Sequence, residues 1–570
     1  MKKTDSERLN VVLCWHMHQP QYADQRSGQY ALPWTYLHAL KDYTDMAAHL
    51  ESVPAAHAVV NFAPILLEQL GDYGRQIGRF LADGTPIGDS MLAALAAPTV
   101  PSDTDARLHL LNACLRANEE RLIKRFPAYA QLAEIARWTI ANPFAVRYAS
   151  QQLIADLLVW YHLAWVGEVQ RRTDARIARL QDKGRDFTLD DRRDLFAIIG
   201  EATGGVAGRY AKLAERGQVE LSTTPYAHPI IPLMLDFKSL REAWPDAPLP
   251  EAAGYPGGIE RARWHIDEGV RTFERYFGFR PAGCWPAEGS VSAPTMRLLS
   301  EAGFAWAATG ESVLRNSLER SGHAPHAAKE AWLYQPYAIA NARTGCFFRD
   351  DELSDRIGFN YATWHADDAV ANLIGELERI EQCCRGHAAR VVSIVLDGEN
   401  AWEYYPENAY YFLSALYRRL AEHPRLNLTT YSDYLERFAA RNLRTLVAGS
   451  WVYGTFSTWM GDSAKNRGWD MLVDAKRAFD DAMAGGKLNV ERRAAAERQL
   501  SICEGSDWFW WFGDYNPADT VSDFERLYRA HLATLYTLIG TAAPPYLAET
   551  FTHGSGAPAT GGVMRKGQAT

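Results

Sequence analysis

Three things are scarce in this 570-residue chain, and each scarcity closes off a class of protein. No stretch approaches the ~20 consecutive apolar residues that a membrane helix needs, so a membrane-spanning protein is not expected. An excess of basic charge is also missing. Against 60 Lys plus Arg stand 69 Asp plus Glu, a formal net charge of -9, which disfavours nucleic acid and other polyanions as partners. Cysteine is sparse: the seven residues are scattered, an odd number, and only Cys383 and Cys384 are adjacent. Reduced thiols rather than a disulfide framework are expected. The first apolar run, Val11 to Trp15, stops at His16 and is too short for the core of a secretory signal, so the expected location is the cytoplasm. The chain also shows no internal repeat.

What it has in plenty is aromatic side chains, 18 Trp and 27 Tyr. One face of a pyranose ring is apolar while its hydroxyls are polar, so a sugar site pairs flat aromatic rings with carboxylates and other hydrogen-bonding groups. Any single Trp is more simply explained as core, so the excess has to be read together with the placement of the acids.

The length suggests roughly two to four folding units. Short apolar segments at Leu9 to Trp15, Ala56 to Phe62, Gln218 to Ser222, Gly283 to Trp285, Phe304 to Thr309, Cys346 to Phe348, Val391 to Leu396 and Leu426 to Thr430 read as buried strands separated by helical stretches. Such alternation predicts a parallel sheet covered by helices. Between about 75 and 210 the strand rhythm stops and helical spacing takes over, as in Leu153, Leu157, Trp160 and Ala164, which predicts a helical insertion. Beyond 440 the periods are helical again. The expected organisation is a catalytic α/β barrel over 1–440 with its insertion, an all-α domain over 441–548 and a disordered tail over 549–570. A barrel is favoured over an open sheet because several strands end in chemically capable residues.

Two of those ends carry acids. Gly283-Cys284-Trp285-Pro286-Ala287-Glu288-Gly289 holds a Glu among stiff and small residues, and the apolar run from Val391 to Leu396 delivers Asp397, followed by Gly398-Glu399-Asn400-Ala401-Trp402. A pair of carboxyls, one ionised and one protonated, is what cleavage of a glycosidic bond requires, and burial with mutual repulsion is how one of them keeps its proton. Histidines form a third group: His16, His18 and the distant His228. They admit two readings, hydrogen bonding to sugar hydroxyls or zinc ligation in a metal-dependent hydrolase or deacetylase. The contexts of Glu288 and Asp397 favour the first, with no metal or cofactor expected.

The ordered series His18-Gln19-Pro20, Gly217-Gln218-Val219-Glu220 with His228, Trp285-Pro286-Ala287-Glu288-Gly289 and Leu396-Asp397-Gly398-Glu399-Asn400-Ala401-Trp402 resembles the motifs of glycoside hydrolase family 57. Phe347 to Asp355, Phe456 to Gly461 and Glu504 to Trp511 resemble its amylopullulanase-like branch. The resemblance runs from about residue 9 to about 540. It implies an incomplete (β/α)7 barrel followed by a helical domain, and a retaining enzyme acting on α-glucans at α-1,4 and possibly α-1,6 linkages. The same scaffold serves 4-α-glucanotransferase or branching-type transfer. By the resemblance Glu288 matches the nucleophile and Asp397 the general acid/base. His16, His18, Glu220, His228, Trp285, Trp402 and Trp459 match or adjoin substrate-contacting positions. One departure is Gly310 in Thr309-Gly310-Glu311, where relatives often carry Asp in the middle; without that side chain a subsite contact is lost.

Overall fold

The computed structural model describes residues 8–322, 328–339, 342–385 and 389–555; of the expected tail, residues 556–570 lie outside the described residues. Ten strands form one sheet: β1 (Leu9–Met17), β2 (Ala58–Phe62), β3 (Val219–Thr223), β4 (Gly283–Cys284), β5 (Trp306–Gly310), β6 (Tyr337–Ile339), β7 (Gly345–Arg349), β8 (Val391–Asp397), β9 (Leu426–Leu428) and β10 (Arg441–Leu443). Seven of them, β1, β2, β3, β4, β5, β7 and β8, run parallel around a barrel. The ring closes through one residue pair, Arg349 of β7 opposite Ser393 of β8. β6, antiparallel to β7, and β10 extend the sheet outside the ring. β9 reads from the sequence like any other strand, yet it pairs only with residues 9–11 of β1 and is no stave of the barrel.

Strict alternation decides what each strand presents. Along β1, Val12 and Cys14 enter the cluster that fills the barrel, while Val11, Leu13, Trp15 and Met17 join the larger core beneath the helices. Along β8, Val391 and Val395 point inward and Val392, Ile394 and Leu396 outward. The same period of two therefore aims His16 and Asp397 inward at the carboxyl ends of their strands. Trp285, Trp306, Ala308, Phe347, Tyr431 and Tyr434 complete the interior filling.

Gly283 is required by that filling: a Cβ there would stand 1.8 Å from the indole of Trp306. Gly283→Ala is expected to destabilise the fold by about 1–3 kcal/mol or more through overpacking. A Tm equal to that of the parent would contradict this account of the barrel interior.

Between β2 and β3 the chain is helical, from Pro64–Asp83 through Leu189–Glu215. After β10 an irregular stretch packs against the rim, and helices Ser463–Ala484, Val490–Cys503 and Ala518–Ile539 follow. The apolar stripe of the last, with Phe524, Leu527, Tyr528 and Leu535, is buried as its spacing predicts, and the helix ends at Gly540 in the left-handed conformation. Among the described residues no helix is long and apolar enough to cross a membrane, and all seven cysteines are free thiols.

Candidate active site

Register sets the rim. His16 lies opposite Asn61 of β2 on one side and opposite Asp397 of β8 on the other, and Asn61 lies opposite Ser222 of β3. Side chains at one level of a parallel sheet point the same way, so these four residues share the top layer of the barrel. The Asn61 amide donates to Ser222 Oγ at 3.0 Å, and the Thr224 hydroxyl donates to Asn61 Oδ1 at 2.8 Å. That orientation leaves Asn61 Oδ1 to accept from His16 Nδ1, 2.7 Å away.

A relay follows from this assignment. With its proton on Nδ1, His16 accepts at Nε2 from His228 Nε2 at 3.1 Å, and His228 Nδ1 accepts from the Ser506 hydroxyl at 2.8 Å. Both rings stay neutral. Burial, then the neighbouring His18, holds His16 down at about 3, and burial likewise holds His228 well below the usual imidazole range. His18 stacks on His228 with ring centres 3.9 Å apart. Its Nε2 lies 2.9 Å from Asp507 Oδ1, while its Nδ1 has no protein partner. Here the C-terminal helical region reaches the barrel: Ser506 and Asp507 precede or open the short helix Asp507–Trp511.

Glu288 leaves β4 in the left-handed region, φ 56° and ψ 27°. A non-glycine residue held there is sparsely populated and persists only where its surroundings fix it. The fixing group is Trp451: its backbone N–H donates to the Glu288 carbonyl at 3.2 Å, and its indole Nε1 donates to Glu288 Oε2 at 3.0 Å. The other carboxyl oxygen lies 3.9 Å from His228 Nδ1. Asp397 accepts from the Asn400 amide at 3.0 Å. Burial, then the negative charge of Asp397, pushes the Glu288 carboxyl well above the usual carboxylate range, against the pull of the Trp451 hydrogen bond. Burial also raises Asp397, opposed by Asn400 and by the charges of His18 and Arg349. The two acids lie far apart in sequence, yet the charge of Asp397 reaches Glu288 at one rim. The rim is open where Glu288, His18 and Asp507 surface, with side chains 13%, 10% and 14% exposed.

The remaining candidates are placed differently. Glu220 points inward one layer below Ser222, where its carboxylate accepts from Trp306 Nε1 at 2.6 Å and from the Ser432 backbone and hydroxyl at 3.0 and 2.5 Å. It belongs to the barrel floor and is not brought together with the acids at the rim. Trp285 is buried under the site, edge-on to Trp451. Trp402 is buried beside Trp15 and donates to the Gly398 carbonyl, and Trp459 is buried against Trp510. None of the three offers an open face, because large indoles fill the space between barrel and helices. Glu311 is buried and committed to Arg315 and Lys329, both at 2.8 Å. Trp451, Asn61, Asn400, Ser506 and Asp507 were not singled out from the sequence. Asn400 and Asp507 lie inside quoted motifs, whereas nothing local marks Trp451.

His18, His228 and Asp507 bring nitrogen and oxygen atoms within 4.8 Å of one another, so they are the residues to test against a metal. Imidazole lone pairs lie in the ring plane, and a cation needs those planes to converge on it. The His18 and His228 planes are 18° apart and stacked face to face, so their lone pairs do not converge. His16 and His228 are moreover occupied by each other, by Asn61 and by Ser506. The arrangement suits hydrogen bonding to hydroxyls and not ligation.

Fold and rim together define a parallel-barrel protein that presents paired carboxyls beside an imidazole stack. The profile of glycosyl hydrolase family 57 matches residues 12–448, and the chain belongs to that family. Its fold is similar to that of a family 57 branching enzyme from Thermococcus kodakaraensis, with a TM-score of 0.57 and 15% identity, covering 93% of this chain and 90% of that one. A branching enzyme from Pyrococcus horikoshii gives 0.55 and 15%, covering 95% and 93%. An α-amylase from Thermotoga maritima gives 0.55 and 12%, covering 95% and 94%.

Proposed function

We propose that this protein is a retaining glycosidase acting on α-glucans by double displacement, with Glu288 as nucleophile and Asp397 as general acid/base. The observation that carries the reading is that two buried carboxyls delivered by separate strand ends, Glu288 after β4 and Asp397 at the end of β8, share one rim, where the charge of Asp397 reaches Glu288. Family membership supports the reaction class. Glu288 attacks the anomeric carbon, with its Oε2 held by the Trp451 indole, while Asp397 gives its proton to the leaving oxygen. Asp397 then takes a proton from the attacking hydroxyl as the glycosyl-enzyme is cleaved. The partly exposed His18 side chain at this rim, beside Asp507, supports a role for it in hydrogen bonding to a sugar hydroxyl.

The acceptor in the second step is water or another sugar. Two of the similar structures named above are branching enzymes, so transfer is the second reading. Maltoheptaose digestion followed by chain length and by proton NMR of the first product decides both points. Net retention, an initial α-anomer, is expected, and an initial β-anomer excludes double displacement. Shorter products alone mean hydrolysis, and products longer than the substrate mean transfer. Trapping with 5-fluoro-α-glucosyl fluoride is expected to leave the label on the peptide that contains Glu288.

A further inference from the structure

Arg349 ends β7 at the single pair that closes the barrel, and only 6% of it is exposed. A buried guanidinium needs its donors satisfied. Its Nε donates to the Val395 carbonyl at 2.9 Å, two residues before Asp397, and its Nη atoms donate to Asp351 at 2.8 Å and Asp355 at 2.6 Å. Its central carbon lies 5.5 Å from the centre of the Trp451 ring, within cation–π range, and that indole donates to Glu288 Oε2. One side chain therefore touches the strand that delivers one rim acid and the ring that holds the other. We propose that Arg349 is a positioning residue that couples the two carboxyl arms, fixing the end of β8 under Asp397 and the face of Trp451 against Glu288.

The inference rests on the assignment of Glu288 and Asp397 made above. Its charge gives it a signature that simple packing lacks. Asp397 is faced by His18, Asn400, Glu288 and Arg349, with Glu399 two residues on. Arg349 is one of the cationic influences that favour its ionised form. Asp351, which burial lifts to about 6 against the pull of Arg349, is ionised on the basic side of the parent profile. Removing Arg349 makes Asp397 hold its proton to higher pH. Removing the negative partner Asp355 leaves more of the Arg349 charge uncompensated and has the opposite sign.

The test measures kcat/KM for maltoheptaose consumption against pH. Arg349→Met is expected to lower it about 100-fold through misplacement of the reacting groups and to move the basic limb up by about one pH unit. Arg349→Lys is expected to return the limb towards the parent position without restoring the rate, because an ammonium lacks the planar fork. Asp355→Asn, at a side chain 41% exposed, is expected to fold and to move the limb down. A folded Arg349→Met enzyme with an unmoved limb overturns the proposal. Should that variant fail to fold, an Asp355→Asn limb that stays in place or moves up overturns it. Glu288→Gln separates the two failures: if it is inactive while these limbs do not move, the coupling role alone fails. If it consumes maltoheptaose like the parent, the carboxyl assignment fails with it.

Discussion

Glu288→Gln is expected to lower maltoheptaose turnover by on the order of 10⁴-fold or more, the scale on which loss of a covalent nucleophile acts. An amide carbonyl still accepts from the Trp451 indole, so the left-handed loop around residue 288 keeps its anchor. Stability is expected to rise. Burial and the Asp397 charge raise the folded-state pKa of Glu288 above its unfolded value, so the native state binds this proton more tightly. That contribution is fully present below the unfolded value, about 4.3, and is lost as the pH rises through the folded one. Above the folded value the ionised parent carries the burden of a buried charge and the amide does not. A variant that is inactive yet melts at or above the parent temperature fits a site that trades stability for function. Retained turnover removes Glu288 from the chemistry.

Asp397→Asn is the second large effect, about 10²–10⁴-fold in kcat, the contribution of a positioned acid/base. Here the leaving group decides the size. A fluoride that departs without protonation should spare the first step, and the loss should concentrate in deglycosylation. The pH profile supplies the sign. Asp397 must be protonated to act first, burial raises its pKa, and activity falls as the pH rises through that value, so the variant loses the basic limb. In the free protein Glu288 feels the stronger upward push of the two, which is the reverse of their working states. The pair titrates as a unit. The partial positive charge that builds at the anomeric carbon favours an ionised Glu288 and leaves the shared proton with Asp397. A basic limb that survives in Asp397→Asn rules this allocation out.

The strands that carry the acids and histidines were legible because they are short apolar runs that end abruptly in polar residues. The period of two that buries Val12 and Cys14 also fixes which way His16 points. Some features were not legible. β6 and β10 are three residues each, too short to leave a pattern, and nothing in Leu426–Leu428 tells that it lies beside the barrel and not within it. The tryptophan excess pointed to carbohydrate, yet Trp285, Trp402 and Trp459 are buried, because composition counts rings without saying which way they face. Trp451, which holds Glu288, lies in a stretch without helix or strand period and reaches the site only because that stretch packs on the rim.

The sequence by itself determined the alternation of strands and helices, the strand ends where chemistry sits and the family to which the chain belongs, since periodicity and local motifs are properties of neighbours along the chain. Tertiary structure alone decided that Ser506 and Asp507 meet His228 and His18, that Glu220 supports the barrel floor, and that Arg349 reaches towards both acids. Those are contacts between residues tens to hundreds of positions apart, and they exist only because closing the ring and docking the C-terminal helices bury enough surface to hold them together.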